Sequence, residues 1–350
     1  MIGLLGFAAI WLATRLLTVP RWLFWTLTVQ WWLVVVVLSL PRWSDLPEGA
    51  TTADFPPPIV GGDLRGWLAL GFLTLAVLGY RAVLRRVRSR VAPTVAPPPQ
   101  GGLTPVELNR YARHIILREI GGTGQKRLKA AQVLVVGAGG LGSPALLYLA
   151  ASGVGTIGVI DSDIVENTNL QRQVIHTDAR IGMPKVFSAE AAMRALNPFI
   201  EVRPYNRRLD DTIAADLIAD YDLILDGSDN FDTRYLVNRA AVQAGKPLIA
   251  AAITQWEGQL SLYHPAAGGP CYECLFPTRP APGLVPTCAE AGVAAPLPGI
   301  LGAMMASEAI KHLTGAGETL KGRLMIHDAL FAETRVIATK RRPDCPVCGD

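Results

Sequence analysis

Residues 133–173 read VLVVGAGGLGSPALLYLAASGVGTIGVIDSDIVENTNLQRQ, and the order of chemistries in this stretch decides the fold. An apolar run enters a glycine-rich turn, small and aliphatic residues follow, and a second apolar run ends on Asp161 ahead of a polar run carrying Arg172. Gly137, Gly139 and Gly142 satisfy G-x-G-x-x-G directly after a strand and at the start of a helix, with Gly140 in the same turn. Amide groups at such a helix start favour a phosphate, and glycines let it approach the backbone. Asp161 ends the second strand, where a carboxylate can accept the hydroxyls of a ribose. A nucleotide is expected here, and both NAD and ATP fit the pattern at this point.

Outward from this stretch, apolar periodicity alternates between strands and helices. A capped helix is predicted over 104–120, with Thr104 as cap, Pro105 in the first turn and Glu107 at the capping-box position. Strands are predicted at 133–136, 156–160, 201–205, 221–225 and 248–252, with helices at 142–152, 184–196 and 231–244. This βαβ rhythm implies a parallel sheet covered on both faces. Strands at 259–263, 323–327 and 334–338, with a helix at 299–313, suggest an antiparallel extension. The expected fold is therefore α/β: a Rossmann-like mixed sheet with a parallel nucleotide-binding half and an antiparallel extension. No internal repeat is visible.

The chain has 350 residues, half of them hydrophobic, and a net charge of +4. The apolar excess sits at the front, in runs over 4–19, 22–40 and 64–80. A span needs about 20 apolar residues, so two or three transmembrane helices are expected, with Arg15 placing the first run either across the bilayer or in its interface. The segment 41–63 has one basic residue, Arg42, whereas Arg81, Arg85, Arg86, Arg88 and Arg90 follow the last run. By the positive-inside rule the loop lies outside and everything after Arg81 lies in the cytoplasm. The expected organisation is a membrane anchor over 1–90, a proline-rich linker over 91–102 and a catalytic domain over 103–350. The expected location is the bacterial inner membrane, multi-pass, with the catalytic domain in the cytoplasm. The short arginine cluster reads as a solvated flank, so no nucleic-acid partner is expected.

Four of the five cysteines form two C-x-x-C pairs, Cys271/Cys274 and Cys345/Cys348. Two such pairs supply the four thiolates of a tetrahedral structural zinc site, here stapling the C-terminal tail to a crossover loop. A redox pair is the rival, but neither pair follows a strand and opens a helix as that motif requires. Cys288 is left over between proline- and glycine-rich turns, and both an inert thiol and a nucleophile remain open. None of His114, His176, His264, His312 and His327 stands in a ligand or triad spacing, so each reads as structural or surface.

Neighbours of the glycine loop separate ATP from NAD. Asn169, Arg172 and Gln173 place polar and cationic groups just past Asp161, and Lys185 opens the next helix. Asp226 and Asp229 lie at the carboxyl edge of the sheet, where an acid facing cations suits Mg²⁺ on phosphate oxygens. No obvious acid–base pair for hydride transfer is present.

These motifs together resemble the MoeB/ThiF/HesA family, bacterial relatives of the ubiquitin-activating enzymes. The resemblance rests on YARHIIL at 111–117, the glycine loop, DSD at 161–163, NLQRQ at 169–173, GMPK at 182–185, DGSDN at 226–230, EGQ at 257–259, both C-x-x-C pairs and Thr287-Cys288. It covers 103–350 and not the first hundred residues. It implies ATP-dependent adenylylation of the C-terminal carboxylate of a ubiquitin-like sulphur carrier ending in Gly-Gly. It further implies that the glycine loop, Asp161 and Asn169 hold the nucleotide, that Arg172 and Lys185 neutralise phosphate charge, and that Asp229 binds Mg²⁺. Arg113 would reach into the other subunit of a homodimer, and Cys288 matches a cysteine that in some members takes the activated carrier or joins sulphur transfer. His114 stands where the family usually has Gln, and any sulphur donor is expected to be a separate protein. Alternatives are adenylylation of another carboxylate, such as one on a modified tRNA base, a non-catalytic membrane-anchored carrier-docking protein, and last an NAD-dependent oxidoreductase.

Overall fold

In the computed structural model, which describes residues 2–16, 21–38, 64–91, 102–281 and 291–349, the chain divides into two compact units, Met1–Thr94 and Val95–Asp350. The first unit contains α1 (Ile2–Leu16), α2 (Arg21–Leu38) and α3 (Leu64–Val91). Val35 and Trp67 are buried in it beside Phe7, Trp31, Trp32 and Val36, and the Trp32 indole N–H donates to the Trp67 carbonyl at 3.1 Å.

Among the described residues, no helix is long and apolar enough to cross a membrane. The expected two or three spanning helices are therefore corrected, and with them the multi-pass inner-membrane location and the cytoplasmic side assigned to the catalytic domain. Lengths explain the difference. With 15 residues, α1 reaches only about 22 Å at 1.5 Å per residue, against a hydrocarbon core of roughly 30 Å. Its successor has 18 residues, opens on Arg21 and carries Gln30. In α3 the apolar stretch ends at Tyr80, and Arg81, Arg85, Arg86, Arg88 and Arg90 follow it. The segment 41–63 and nearly all of the proline-rich stretch 91–102 lie outside the described residues.

The second unit is built on strands whose residues are apolar on both faces. Val133, Leu134, Val135 and Val136 are all buried, as a strand requires when helices cover the sheet on both sides. Its strands are β1 (Gln132–Val136), β2 (Thr156–Ile160), β3 (Glu201–Tyr205), β4 (Leu223–Asp226), β5 (Leu248–Thr254), β6 (Glu257–Tyr263), β7 (Arg323–Asp328) and β8 (Glu333–Ala338). They form one eight-stranded sheet in the order β3-β2-β1-β4-β5-β6-β7-β8. The first five run parallel, and β6, β7 and β8 continue antiparallel. The mixed sheet expected from the sequence is what the chain forms.

The helices are α4 (Pro105–Arg110), α5 (Ala112–Ile116), α6 (Gly121–Ala130), α7 (Gly142–Ser152), α8 (Lys185–Leu196), α9 (Ala214–Ala219), α10 (Phe231–Gln243), α11 (Tyr272–Leu275) and α12 (Pro296–Thr314). Residues of α7, α8 and α12 (Leu146, Met193, Leu301, Met305) pack one face of the sheet. Residues of α9 and α10 (Ile218, Val237, Ala241) pack the other.

Two local differences from the sequence reading have physical causes. The helix expected over 104–120 keeps its capping box, the Thr104 hydroxyl accepting from the Glu107 amide, but it breaks at Tyr111. That side chain is buried, its hydroxyl accepts from Asn197 Nδ2 at 2.8 Å, and Leu117 is extended and ends α5. The unexpected helix α6 contains three glycines that hide its signal. Tertiary contacts compensate: Gln125 donates to the Ser152 carbonyl and Arg127 to the Thr314 carbonyl, both at 2.8 Å.

Candidate nucleotide site and four-cysteine centre

Val136, at the end of β1, is in register with Ile160 of β2 and Asp226 of β4. The loops following these three strands therefore open on one edge. The chain leaves β1 toward β2 and β3 on one side, while β4 and β5 lie on the other, and such switch points are where open α/β sheets bind ligands.

The glycine loop is drawn tight across this edge. Gly137 adopts φ +93°, and a Cβ there would come within 3.1 Å of the Gly227 carbonyl oxygen. At Gly142 a Cβ would run into the Gly137 carbonyl. Asp161 pins the loop from the next strand: Oδ2 accepts from the Ala138 amide and Oδ1 from the Asp163 amide, each at 2.8 Å. Each oxygen retains a further lone pair for a ligand hydroxyl.

The cationic residues gather nearby. Lys185 is buried and paired with the exposed Asp163 carboxylate at 2.8 Å. The Arg172 guanidinium donates to the Thr168 carbonyl at 3.2 Å and to Asn169 Oδ1 at 3.3 Å, while Gln173 Nε2 donates to the same Asn169 oxygen at 3.3 Å. A Cβ on Gly140 would lie 3.7 Å from Arg172 Cγ, and one on Gly139 would lie 3.7 Å from Gln173 Nε2. The structure thus brings together Gly137, Gly139, Gly140, Gly142, Asp161, Asn169, Arg172 and Lys185.

Several buried polar atoms around this loop have no partner among the described residues, including Ser143 Oγ, Gln173 Oε1, Asp226 Oδ2 and Ser228 Oγ. An orphaned buried polar group costs on the order of 1–3 kcal/mol, and a polyanionic, hydroxyl-bearing ligand supplies the missing partners. The residues present therefore fit a nucleotide.

Other expected residues stand apart. Asp229 is exposed on the loop after β4, and among the described residues no ion pair joins it to Arg172 or Lys185. Its neighbour Asn230 caps α10, accepting from the Thr233 amide at 2.9 Å. Arg113 is exposed on α5 and has no hydrogen bond or ion pair among the described residues. Cys288 lies outside the described residues.

Two buried residues at the site escaped the reading of motifs. Arg234 donates to the Ser228 carbonyl at 2.8 Å and the Ala251 carbonyl at 2.9 Å. Its signal was its place with Val237, Asn238 and Ala241 on one buried helical stripe. His176 bridges Ser188 Oγ and the Ala138 carbonyl, each at 2.9 Å. Burial lowers its pKa below the ordinary 6.5, with Lys185 and Arg180 pulling the same way and the Ala138 bond and Asp161 opposing. The unfolded chain then takes up this proton more readily than the folded one. The stability from His176 is complete above pH 6.5 and is lost as pH falls from 6.5 toward the lower folded value. Denaturant midpoints measured across this range are expected to drop on acidification, and less steeply in a His176→Gln chain.

Cys271, Cys274, Cys345 and Cys348 are buried together, with all four sulphurs within 4.8 Å of one another. Separations of 3.8 Å (Cys271–Cys274), 3.6 Å (Cys271–Cys345) and 3.4 Å (Cys274–Cys348) approach the roughly 3.8 Å edge of a tetrahedron with metal–sulphur bonds of about 2.3 Å. The Arg342 amide donates to Cys274 Sγ at 3.4 Å. Burial pushes the Cys271 thiol up. Burial also opposes the Cys345 thiolate, but backbone hydrogen bonds from Val347 and Cys348 prevail and bring it down to about 7. This cluster fits a tetrahedral metal of zinc's size.

A mixed sheet with a glycine cradle at its switch point and a four-thiol staple defines a Rossmann-like nucleotide-binding protein. Residues 111–347 match the ThiF family, and the chain belongs to that family. It is 51% identical over 251 residues to the "Sulfur carrier protein adenylyltransferase" of Thermus thermophilus, covering 71% of this chain and 93% of that one. Identity to the "SAMP-activating enzyme E1" of Haloferax volcanii is 49% over 248 residues, covering 71% and 91%. Against the "Adenylyltransferase and sulfurtransferase MOCS3" of Bos taurus it is 48% over 263 residues, 75% of this chain but 58% of the bovine protein. Among solved structures, E. coli MccB with ATP superposes with a TM-score of 0.60 at 28% identity, covering 69% of this chain and 74% of that one.

Proposed function

We propose that this chain uses ATP to adenylylate the C-terminal Gly-Gly carboxylate of a ubiquitin-like sulphur-carrier protein, serving molybdopterin or thiamine synthesis or a related sulphur transfer. The observation that carries the reading is the glycine cradle with unpartnered polar atoms beside Arg172 and Lys185, in a chain 51% identical over 251 residues to a sulphur-carrier adenylyltransferase.

A carrier carboxylate oxygen attacks the α-phosphorus, the bond from that phosphorus to the bridging oxygen breaks, and pyrophosphate leaves with the bonding electrons. The product is an acyl-adenylate. The nucleophile is already an anion, so no general base is required, and rate comes from positioning and charge stabilisation. Asp161 and Asn169 hold the adenosine side, and the amides of Gly139 and Gly140 face the phosphates, while Gly137 and Gly142 let the loop turn tightly. Arg172 and Lys185 offset developing negative charge, with Lys185 held in place by Asp163. Asp229 would hold magnesium, which would supply neutralising charge at the phosphate oxygens. Arg113, exposed and unpaired among the described residues, is supplied to the site of the second copy in a homodimer. Zinc at Cys271, Cys274, Cys345 and Cys348 is structural. Cys288 serves later thiol chemistry rather than adenylylation.

ATP–pyrophosphate exchange by the full chain tests this reading. Exchange is expected with magnesium and a carrier ending in Gly-Gly, and not with the same carrier lacking that dipeptide. Failure of every Gly-Gly carrier to support exchange would overturn it.

A further inference from the structure

We propose that His176 is a positioning residue for the nucleotide phosphates, acting through the peptide that joins Ala138 to Gly139. The proposal rests on the nucleotide reading above. His176 is 5% exposed, and its Nε2 lies 2.9 Å from the Ala138 carbonyl oxygen. A carbonyl only accepts, so Nε2 carries the proton. In the neutral ring Nδ1 is then an acceptor, and the Ser188 hydroxyl at 2.9 Å donates to it.

The Ala138–Gly139 peptide is trans, so its N–H points away from its carbonyl. Drawing the carbonyl inward to His176 turns the Gly139 N–H outward, and that N–H takes no partner among the described residues. The Ala138 N–H is itself held by Asp161 at 2.8 Å. Both peptides flanking Ala138 are thereby fixed, and the free amide of Gly139 is left facing the cradle. His176 lies four residues beyond Arg172, and Ser188 lies three beyond Lys185. Arg180 reinforces the junction by donating to the Ser188 carbonyl at 2.8 Å. One buried imidazole therefore joins the glycine loop, the segment bearing Arg172 and the helix bearing Lys185.

The test measures calorimetric affinities of the full chain for MgATP and for adenosine, in the wild type and in His176→Leu, His176→Gln and Ser188→Ala. Losing a hydrogen-bonded amide to a charged phosphate is worth about tenfold or more, so H176L is expected to lose that in ATP affinity while adenosine changes less than about twofold. H176Q retains an N–H donor and is expected to recover most of the loss. S188A, which frees the ring to change tautomer, is expected to show a smaller loss, again for ATP alone. Parallel falls for ATP and adenosine in H176L, or unchanged ATP affinity in it, would overturn the inference. If H176L does not fold, S188A decides, and an unchanged ATP affinity there overturns it. A wild-type chain that binds ATP no better than adenosine removes the nucleotide reading itself, and this inference with it.

Discussion

Replacing Cys271 with serine is expected to abolish zinc binding at the four-cysteine cluster and to lower stability by more than about 3 kcal/mol. The four thiols are all buried, and a serine hydroxyl is a far poorer ligand for a soft-binding ion than a thiolate. Loss of the ion also leaves three buried thiols converging without a centre. The damage extends beyond the tail. Cys271 begins the turn that carries α11, whose Tyr272 amide donates to Asn238 Oδ1 of α10 at 2.9 Å. Glu273, in the same turn, accepts from Arg239 at 2.9 Å. Through α10 the centre reaches Arg234 and the Ser228 carbonyl, so nucleotide affinity is expected to fall along with stability. Metal analysis should find about one zinc per wild-type chain and almost none in C271S, and a thermal scan should show the early transition. Equal metal content and an unchanged midpoint would count against a structural metal.

Converting Asp229 to alanine is expected to remove pyrophosphate exchange almost completely while leaving the fold intact. Asp229 is exposed and, among the described residues, makes one weak hydrogen bond, accepting from Asn230 Nδ2 at 3.5 Å. Its loss therefore disturbs no core contact, and the cap of α10 belongs to Asn230. A metal that neutralises phosphate oxygens supplies several kcal/mol of transition-state stabilisation, so exchange should fall by roughly a thousandfold or more. Adenosine affinity and the unfolding midpoint should stay near wild type. Raising magnesium should fail to restore the rate, because the ligand rather than the ion is missing. Normal exchange in D229A would remove the assignment of magnesium to this residue.

Much of this architecture was legible because its signals are local. Strands 156–160 and 201–205 and the helix at 142–152 fall where their periodicity placed them. The thiols of Cys271 and Cys345 were legible as partners because two C-x-x-C pairs leave little else for four cysteines to do. Helix α6 was not legible: its glycines argue against helix, and the Gln125 and Arg127 contacts that offset them come from residues far along the chain. Hydropathy misled over residues 1–90, because an apolar run reports average composition and not the length of unbroken apolar helix. Arg234 was passed over, and His176 read only as structural or surface, for a related reason. Their partners are main-chain carbonyls of Ala138, Ser228 and Ala251, and no pattern of side chains announces a bond to the backbone.

The two thiol pairs lie 74 residues apart along the chain, and that separation sets an order of events during synthesis. The segment between them contains α12, β7 and β8. When Cys271 and Cys274 leave the ribosome they form only half of a coordination sphere. The parallel strands and β6 have already been synthesised by then, and β7 and β8 have yet to be made. The second pair arrives only after β8 has been synthesised. Closure of the centre is thus a record that the intervening segment has been laid down in register, and a chain whose edge strands mispair would present four thiols that cannot meet.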